Sequence, residues 1–420
     1  MKKLIAFIAI FSIAVCLVAC GGGNNEQGGG DGGKVINLTY SGTASNQTFN
    51  ETLFEDFKAA RKAAGDKNTY VITYVSHGPD KVDSEILDWA SPDAPDVYEA
   101  ASDKIGILYS KGALAKLSKT YADWIDAEMS SLGKQLSTFN GSYYTFPYTG
   151  DNTYYLQYDK SVFSEEDVQS IEGLLAAAEE KGVQVGYNLK EAFWGGAAMF
   201  TFGADYEVTY DEDGNYTTEA NFNSEAGLKG AKALLKIMTH KAWVNQAGVP
   251  ASDSKVKATI AGTWDVAGYK DALGENYACA PMPTVTVDGE TKNLGCFLGG
   301  KFLGVNPQRS AGDTDRFVAA NELAKYLAGH EAQTKRYEHA NIYPCIVSAQ
   351  NHPAMATDAN IQTLKAQSEF AHAQTAVPAE FWNAPAALTA GIEDGTYTLD
   401  NLQQAIDTFN DAVKGVVKGE

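Results

Sequence analysis

Val35-Ile36-Asn37-Leu38-Thr39-Tyr40 and Tyr70-Val71-Ile72-Thr73-Tyr74-Val75 are separated by a Ser/Thr/Asn-rich loop and a stretch carrying Leu53, Phe54 and Phe57. Short runs rich in β-branched and aromatic residues read as strands, and apolar residues three and four apart read as one face of a helix. The alternation continues downstream, with a helix predicted over Val82–Trp89, a short strand at Pro95–Tyr98 and a helix over Ile105–Leu117 ending in a glycine-interrupted turn. Phe146-Pro147-Tyr148 and Tyr154–Tyr158 read as extended segments. Ser164–Lys181 reads as a helix stopped by Gly182 and opens a second set of the same kind. Further helices are predicted at Ser224–His240, Arg316–Ala328 and Leu399–Val417. Strands alternating with helices specify an α/β sheet, and no internal repeat interrupts the pattern.

Ahead of the first strand, Lys2 and Lys3 precede an apolar run from Leu4 to Val18, too short to span a bilayer comfortably. Residues 1–19 therefore read as a secretory signal peptide. Leu17-Val18-Ala19-Cys20 resembles a bacterial lipobox, which makes Cys20 the expected lipidation site and the extracytoplasmic membrane face the expected location. Gly21 to Gly33 has almost no side chain to bury, so residues 20–33 are expected to act as a flexible tether with a reach of about 20 Å.

The rest of the chain is long for one hydrophobic core and predicts two lobes. A formal charge of −20 excludes nucleic acid and anionic lipid as main partners, because both require clustered Lys and Arg. Beyond Cys16 and Cys20 only Cys279, Cys296 and Cys345 remain, too few for a disulfide scaffold and without metal-type spacing. Cys279 and Cys296 flank a predicted hairpin, which leaves a bridge or two packed thiols open. Asp211-Glu212-Asp213-Gly214-Asn215 has its glycine two places early for a calcium loop and reads as a hairpin turn, as does Val287-Asp288-Gly289-Glu290. No HExxH, GxSxG, Walker or dinucleotide glycine motif is present, so nucleophilic, metal and cofactor chemistry lack support.

Several blocks carry a resemblance in order and spacing. They are Ser76-His77-Gly78-Pro79-Asp80-Lys81, Ala94 to Lys104, Gly112 to Leu117, Phe146-Pro147 with Tyr158-Asp159-Lys160, Asn188-Leu189-Lys190-Glu191-Ala192-Phe193, Ala261-Gly262-Thr263-Trp264, Ala280-Pro281-Met282-Pro283 and Phe381-Trp382. Together they resemble maltose- and maltodextrin-binding proteins of ABC sugar importers over essentially the whole mature chain. The resemblance implies a periplasmic-binding-protein-like fold with two lobes and three hinge crossings, closing on a ligand by hinge bending. Mapped by motif, one lobe is 35–148 plus 302–350 and the other 152–298 plus 355–420. It also implies a monomer that passes an oligosaccharide to permease subunits.

A pyranose has apolar C–H faces and a rim of hydroxyls, so its site needs flat aromatic platforms with carboxylates or amides at the ring edge. Trp264 and Trp382 fall where the family places stacking tryptophans, and Phe193 where it places a tyrosine. Asp103 and Lys104 match its acid-base pair and Glu191 its cleft glutamate, while Asp151 or Asn152 replaces a further glutamate. Two departures weaken maltose itself as the ligand. Ala100 stands where the family often has a platform tryptophan, and the loop Ser41–Asn46 lacks an Asp-Lys pair. Trp89, Tyr98, Tyr143, Tyr148 and Tyr155 are candidates to compensate. Competing readings are a surface glycoside hydrolase, which needs two carboxylates about 5 to 10 Å apart, a glycan-binding lipoprotein, and a binding protein for a non-sugar solute such as a polyamine or metal chelate.

Overall fold

The computed structural model of the chain describes residues 33–211 and 215–417. The stretch read as a signal peptide, Cys20, nearly all of the expected tether and the tip of the 211–215 turn lie outside them. Among the described residues seventeen strands follow one another: β1 Val35–Gly42, β2 Thr69–Ser76, β3 Val97–Ala101, β4 Thr138–Phe139, β5 Ser142–Tyr143, β6 Phe146–Asp159, β7 Gln184–Tyr187, β8 Tyr206–Tyr210 and β9 Tyr216–Ala220. After these come β10 Trp243–Val244, β11 Val256–Gly262, β12 Tyr277–Ala280, β13 Thr284–Val287, β14 Glu290–Asn293, β15 Phe297–Val305, β16 His372–Ala373 and β17 Gly415–Val417.

β1 runs parallel to both β2 and β3, with the helix Gln47–Ala63 packed over them through Leu53, Phe54 and Phe57. Ile36, Leu38 and Tyr40 alternate inward along β1, so the period-two pattern read from the sequence is the pattern of burial. The strands line up in the order β2-β1-β3-β15-β6-β11-β7-β10. Two long strands join the halves of this array. β15 pairs through Lys301–Val305 with β3 and through Phe297 and Leu298 with β16, while β6 pairs first with β15 and then, from Tyr154, with β11.

The buried apolar residues divide accordingly. One cluster combines Ile36 to Tyr148 with Leu303 to Ala349, and a larger one combines Tyr154 to Phe297 with Val377 to Val413. Each lobe is thus closed by chain that returns from far along the sequence. In the first, Arg316 forks onto the buried Asp96 carboxylate, whose Oδ2 also accepts the Thr39 N–H at 2.7 Å.

Several predicted boundaries move, for identifiable reasons. The helix expected over Val82–Trp89 stops at Glu85, because Ile86 turns extended and both Ile86 and Trp89 go into a core patch beneath it, the Trp89 carbonyl accepting from Asn306 Nδ2. The helix from Ile105 ends at Ser110, before Gly112 takes a left-handed φ of 63°. Ser164 and Asp167 cap each other's backbone N–H groups in a turn, so the next helix begins only at Ile171 with Ser170 as its N-cap. The two extended segments 146–148 and 154–158 are one continuous strand, β6. The last helix, Leu402–Val413, is followed by β17, which pairs with β9. Both predicted turns join paired strands, β8 with β9 and β13 with β14. Cys279, Cys296 and Cys345 are free thiols.

Candidate functional site

The aromatic candidates meet where the two long strands pass between the lobes. Trp264 follows β11 in a short 3-10 turn, Thr263–Asp265, and its indole is 55% exposed. The centre of its ring lies 6.1 Å from Phe193, Phe193 stacks at 5.9 Å on Phe297, and Phe297 lies 5.8 Å from Trp382. Trp264, Phe193 and Trp382 therefore belong to one row of rings, with Phe297 at the start of β15 as its link. Phe297 is itself fully buried and backs the row, so Trp264, Phe193 and Trp382 are the rings that keep surface to cover faces of a sugar chain.

Each ring is held by local structure. Phe193 sits in the wide turn Ala192–Gly196, and the hydroxyl of the fully buried Tyr154 donates to its carbonyl at 2.8 Å. Trp382 ends the 3-10 turn Ala379–Trp382, pinned by its neighbour Phe381, which is fully buried among Phe200, Phe222, Phe297 and Phe409. The Trp264 indole folds back over Gly262, where an added Cβ would lie 2.1 Å from the ring. Gly262→Ala is therefore expected to push the indole out of its place and to weaken ligand binding about as much as Trp264→Ala, by roughly tenfold. Isothermal titration of the two variants side by side checks this; unchanged affinity in the glycine variant would show that the ring position does not matter.

The polar candidates lie next to this row. Asp103 and Lys104 occupy the 3-10 turn that leaves β3. Burial pushes the Asp103 carboxyl up to about 6, against the opposing pull of Lys104. Lys104 Nζ is 3.3 Å from Asp83 Oδ1. Asn152, on β6, donates from Nδ2 to Gln374 Oε1 at 2.7 Å, and Gln374 Nε2 donates to Asp103 Oδ1 at 3.3 Å. Asp151, its carboxyl also raised by burial, accepts the Tyr343 N–H, and its carbonyl accepts from Thr263 Oγ1 beside Trp264. Glu191 is exposed at the start of the turn that carries Phe193. Gln374 ties the two groups together, because its backbone N–H donates to the Leu298 carbonyl, one residue from Phe297.

Sequence reasoning missed Gln374 and Phe297. Phe297 reads as an ordinary strand residue, and nothing in Ala373-Gln374-Thr375 marks a site. The candidates to replace the missing platform are not available for stacking. Trp89, Tyr98, Tyr148 and Tyr155 are each at most 3% exposed. Tyr143 is tied to Asp126 at the β4–β5 hairpin, and Ala100 itself is fully buried, so a larger side chain there would point into the core. His77 Nδ1 lies 3.1 Å from Glu85 Oε2. A separate cavity of about 290 Å³ lies between Leu132 and Gln135 on one lobe and Leu364 and Lys365 on the other; its lining includes no carboxylate and a single aromatic ring, Tyr343.

Two α/β lobes joined by shared strands, with an aromatic row and a polar node at the junction, define a two-lobed binding protein. The chain belongs to the bacterial extracellular solute-binding proteins, whose family profile matches residues 52–363. Among curated relatives it is 23% identical over 354 residues to the galactooligosaccharide-binding protein of Bacillus subtilis, covering 80% of each chain. It is 24% identical over 436 residues to the maltodextrin-binding protein MdxE of the same organism, covering 99% of this chain and 98% of that one. The fold is that of the unliganded maltodextrin-binding protein MalE1 from L. casei, with a TM-score of 0.77 at 21% identity over 90% of this chain and 98% of the other. It is also that of the maltose-binding protein MalE from Listeria monocytogenes in complex with maltose, with a TM-score of 0.68 at 18% identity over 90% and 98%.

Proposed function

We propose that the protein captures an oligosaccharide between its lobes and delivers it to an ABC importer, held at the membrane through a lipidated Cys20. The observation that carries this reading is that Trp264, Phe193 and Trp382, joined through the buried Phe297 behind them, lie beside the Asp103–Gln374–Asn152 node. Rings supply faces for pyranose C–H groups, and the Asp103 carboxyl and the Asn152 amide supply directional partners for hydroxyls. Lys104, Glu191 and Asp151 complete the set we assign to the rim. Closure then turns about three crossings, β6, β15 and the segment leading to β16, between lobes of 35–148 plus 302–350 and 152–298 plus 355–420.

Malto-oligosaccharides are the first ligands to test, since relatives and structural neighbours are named for maltodextrin and maltose. The buried Ala100 and the relative named for galactooligosaccharides make galacto-oligosaccharides the natural second series. Isothermal titration with both series should give saturable binding by one of them, and the absence of binding by any glycan would reject the reading. Spermidine in the same titration tests a cationic ligand. We infer no catalytic step, because the aromatic row and a single amide-held acid suffice for capture. Release of new reducing ends from bound oligosaccharide, abolished by changing one carboxylate, would overturn that.

A further inference from the structure

Gln374 stands at a convergence of chain segments that the binding reading does not by itself require. It is 4% exposed and follows β16. Its backbone N–H donates to the Leu298 carbonyl on β15 at 2.9 Å, and its carbonyl accepts from Ser102 Oγ at 2.5 Å. Its side-chain oxygen takes the Asn152 amide of β6 and its side-chain nitrogen reaches Asp103. Ser102 Oγ in turn accepts the Gly300 N–H at 3.3 Å. The strand is bare at Gly299 because the amide fills that space, a Cβ there lying 2.7 Å from both Gln374 Oε1 and Ser102 Oγ. One residue thus ties together the turn after β3, both strands shared by the lobes, and the return segment.

The amide has only one orientation that suits an ionised Asp103. A carboxylate only accepts, so the NH₂ must face it and the oxygen must face Asn152 Nδ2. The other groups acting on Asp103 are Lys104 in its own turn, which favours the charge, and Asp83 and Asp80 from the preceding segments, which oppose it. Tyr206 on β8, from the other lobe, also feels the Asp103 charge, and its buried hydroxyl has no hydrogen-bond partner.

We propose that Gln374 is a positioning residue of the cleft, whose amide orients the Asp103 carboxyl toward ligand hydroxyls and fixes it to the strands that bend when the lobes close. This rests on the oligosaccharide-binding reading and goes beyond it, because Gln374 acts through Asp103 and not as a platform. Hydrogen bonds to a charged partner are worth more than neutral ones, so removing the donor should weaken binding about tenfold or more and make Asp103 harder to ionise.

The test compares wild type, Gln374→Met, Asp103→Asn and the double variant in the full mature chain. Unfolding temperature is followed against pH in the apo protein, and maltotetraose affinity against pH by titration. A carboxyl with a raised native pKa is protonated more readily folded than unfolded, so its penalty on the fold is present above its native pKa and disappears as pH falls through the window from about 6 to 3.8. Wild type should therefore gain on Asp103→Asn as pH falls through that window. In Gln374→Met the midpoint of this gain should move up by about one pH unit, the shift expected for a lost donor to a charged group. Affinity at pH 7 should fall about tenfold in Gln374→Met and by no more in the double variant than in Asp103→Asn alone, because the two residues act as one unit. An unmoved midpoint, or losses that simply add, would overturn the proposal. Gln374→Glu, which preserves size, is the second variant if methionine does not fold; its like charge should move the midpoint up further, and no movement would also count against the idea. If no variant, wild type included, binds any glycan while the midpoint still moves, the sugar reading fails and the Gln374–Asp103 coupling stands.

Discussion

Trp382→Ala is expected to weaken oligosaccharide binding about tenfold or more and to remove most of the rise in Tm that a saturating ligand produces. A sugar face covers roughly 50 to 100 Å² of apolar surface on a platform, which corresponds to about 1 to 3 kcal/mol. A flat indole loses little torsional freedom in making the contact, so most of that energy appears as affinity. The side chain is half-buried and leans on Phe297 and Phe381, so its removal should cost the apo protein only about 1 kcal/mol. Thermal unfolding with and without maltotetraose separates the two effects. In wild type, a ligand at one hundred times its dissociation constant stabilises the fold by about 2.7 kcal/mol. A Trp382→Ala protein that still shows the full ligand-induced shift would remove this ring from the site.

The neighbouring substitution should do the reverse. Phe381→Ala is expected to destabilise the apo protein by about 3 to 5 kcal/mol, lowering Tm by roughly 5 °C. Phe381 is fully buried and stacks on Phe200 at 5.5 Å while meeting Phe222, Phe297 and Phe409 edge-on or tilted. Its loss leaves a cavity between segments that are rigidly held and cannot collapse into it. The apo Tm alone checks this, and a value within about 1 °C of wild type, less than about 1 kcal/mol, would show that the turn at Ala379–Trp382 is not pinned by that ring.

Two adjacent aromatic residues, one half-buried and one fully buried, show how far the sequence can be read. The pair Phe381-Trp382 was legible as part of a carbohydrate-type motif, and the row to which Trp382 belongs includes the other two aromatic candidates, Trp264 and Phe193. Asp103 and Asn152 were legible as polar rim candidates, and they meet on a residue that was not. Gln374 is an amide in a loop without pattern. Its contacts exist only because Ser102, Asn152 and Leu298 arrive at the same point from distant parts of the chain. The aromatics proposed as substitutes for a missing platform failed for the same reason. Trp89 and Tyr98 have the right chemistry, but they pack on each other at 4.8 Å inside one lobe.

The alternation of strand and helix, the inward face of β1 and the residue types suited to a sugar face were all determined by the sequence alone. Period-two and helical spacing are local properties that each segment carries with it. Which aromatic ring reaches solvent, where helices such as Val82–Glu85 stop, and which carboxyls burial pushes up were decided only by the tertiary structure. Exposure and desolvation are sums over neighbours supplied by distant chain, as Asp103 and Gln374 are at 271 residues apart, and no local pattern contains those neighbours.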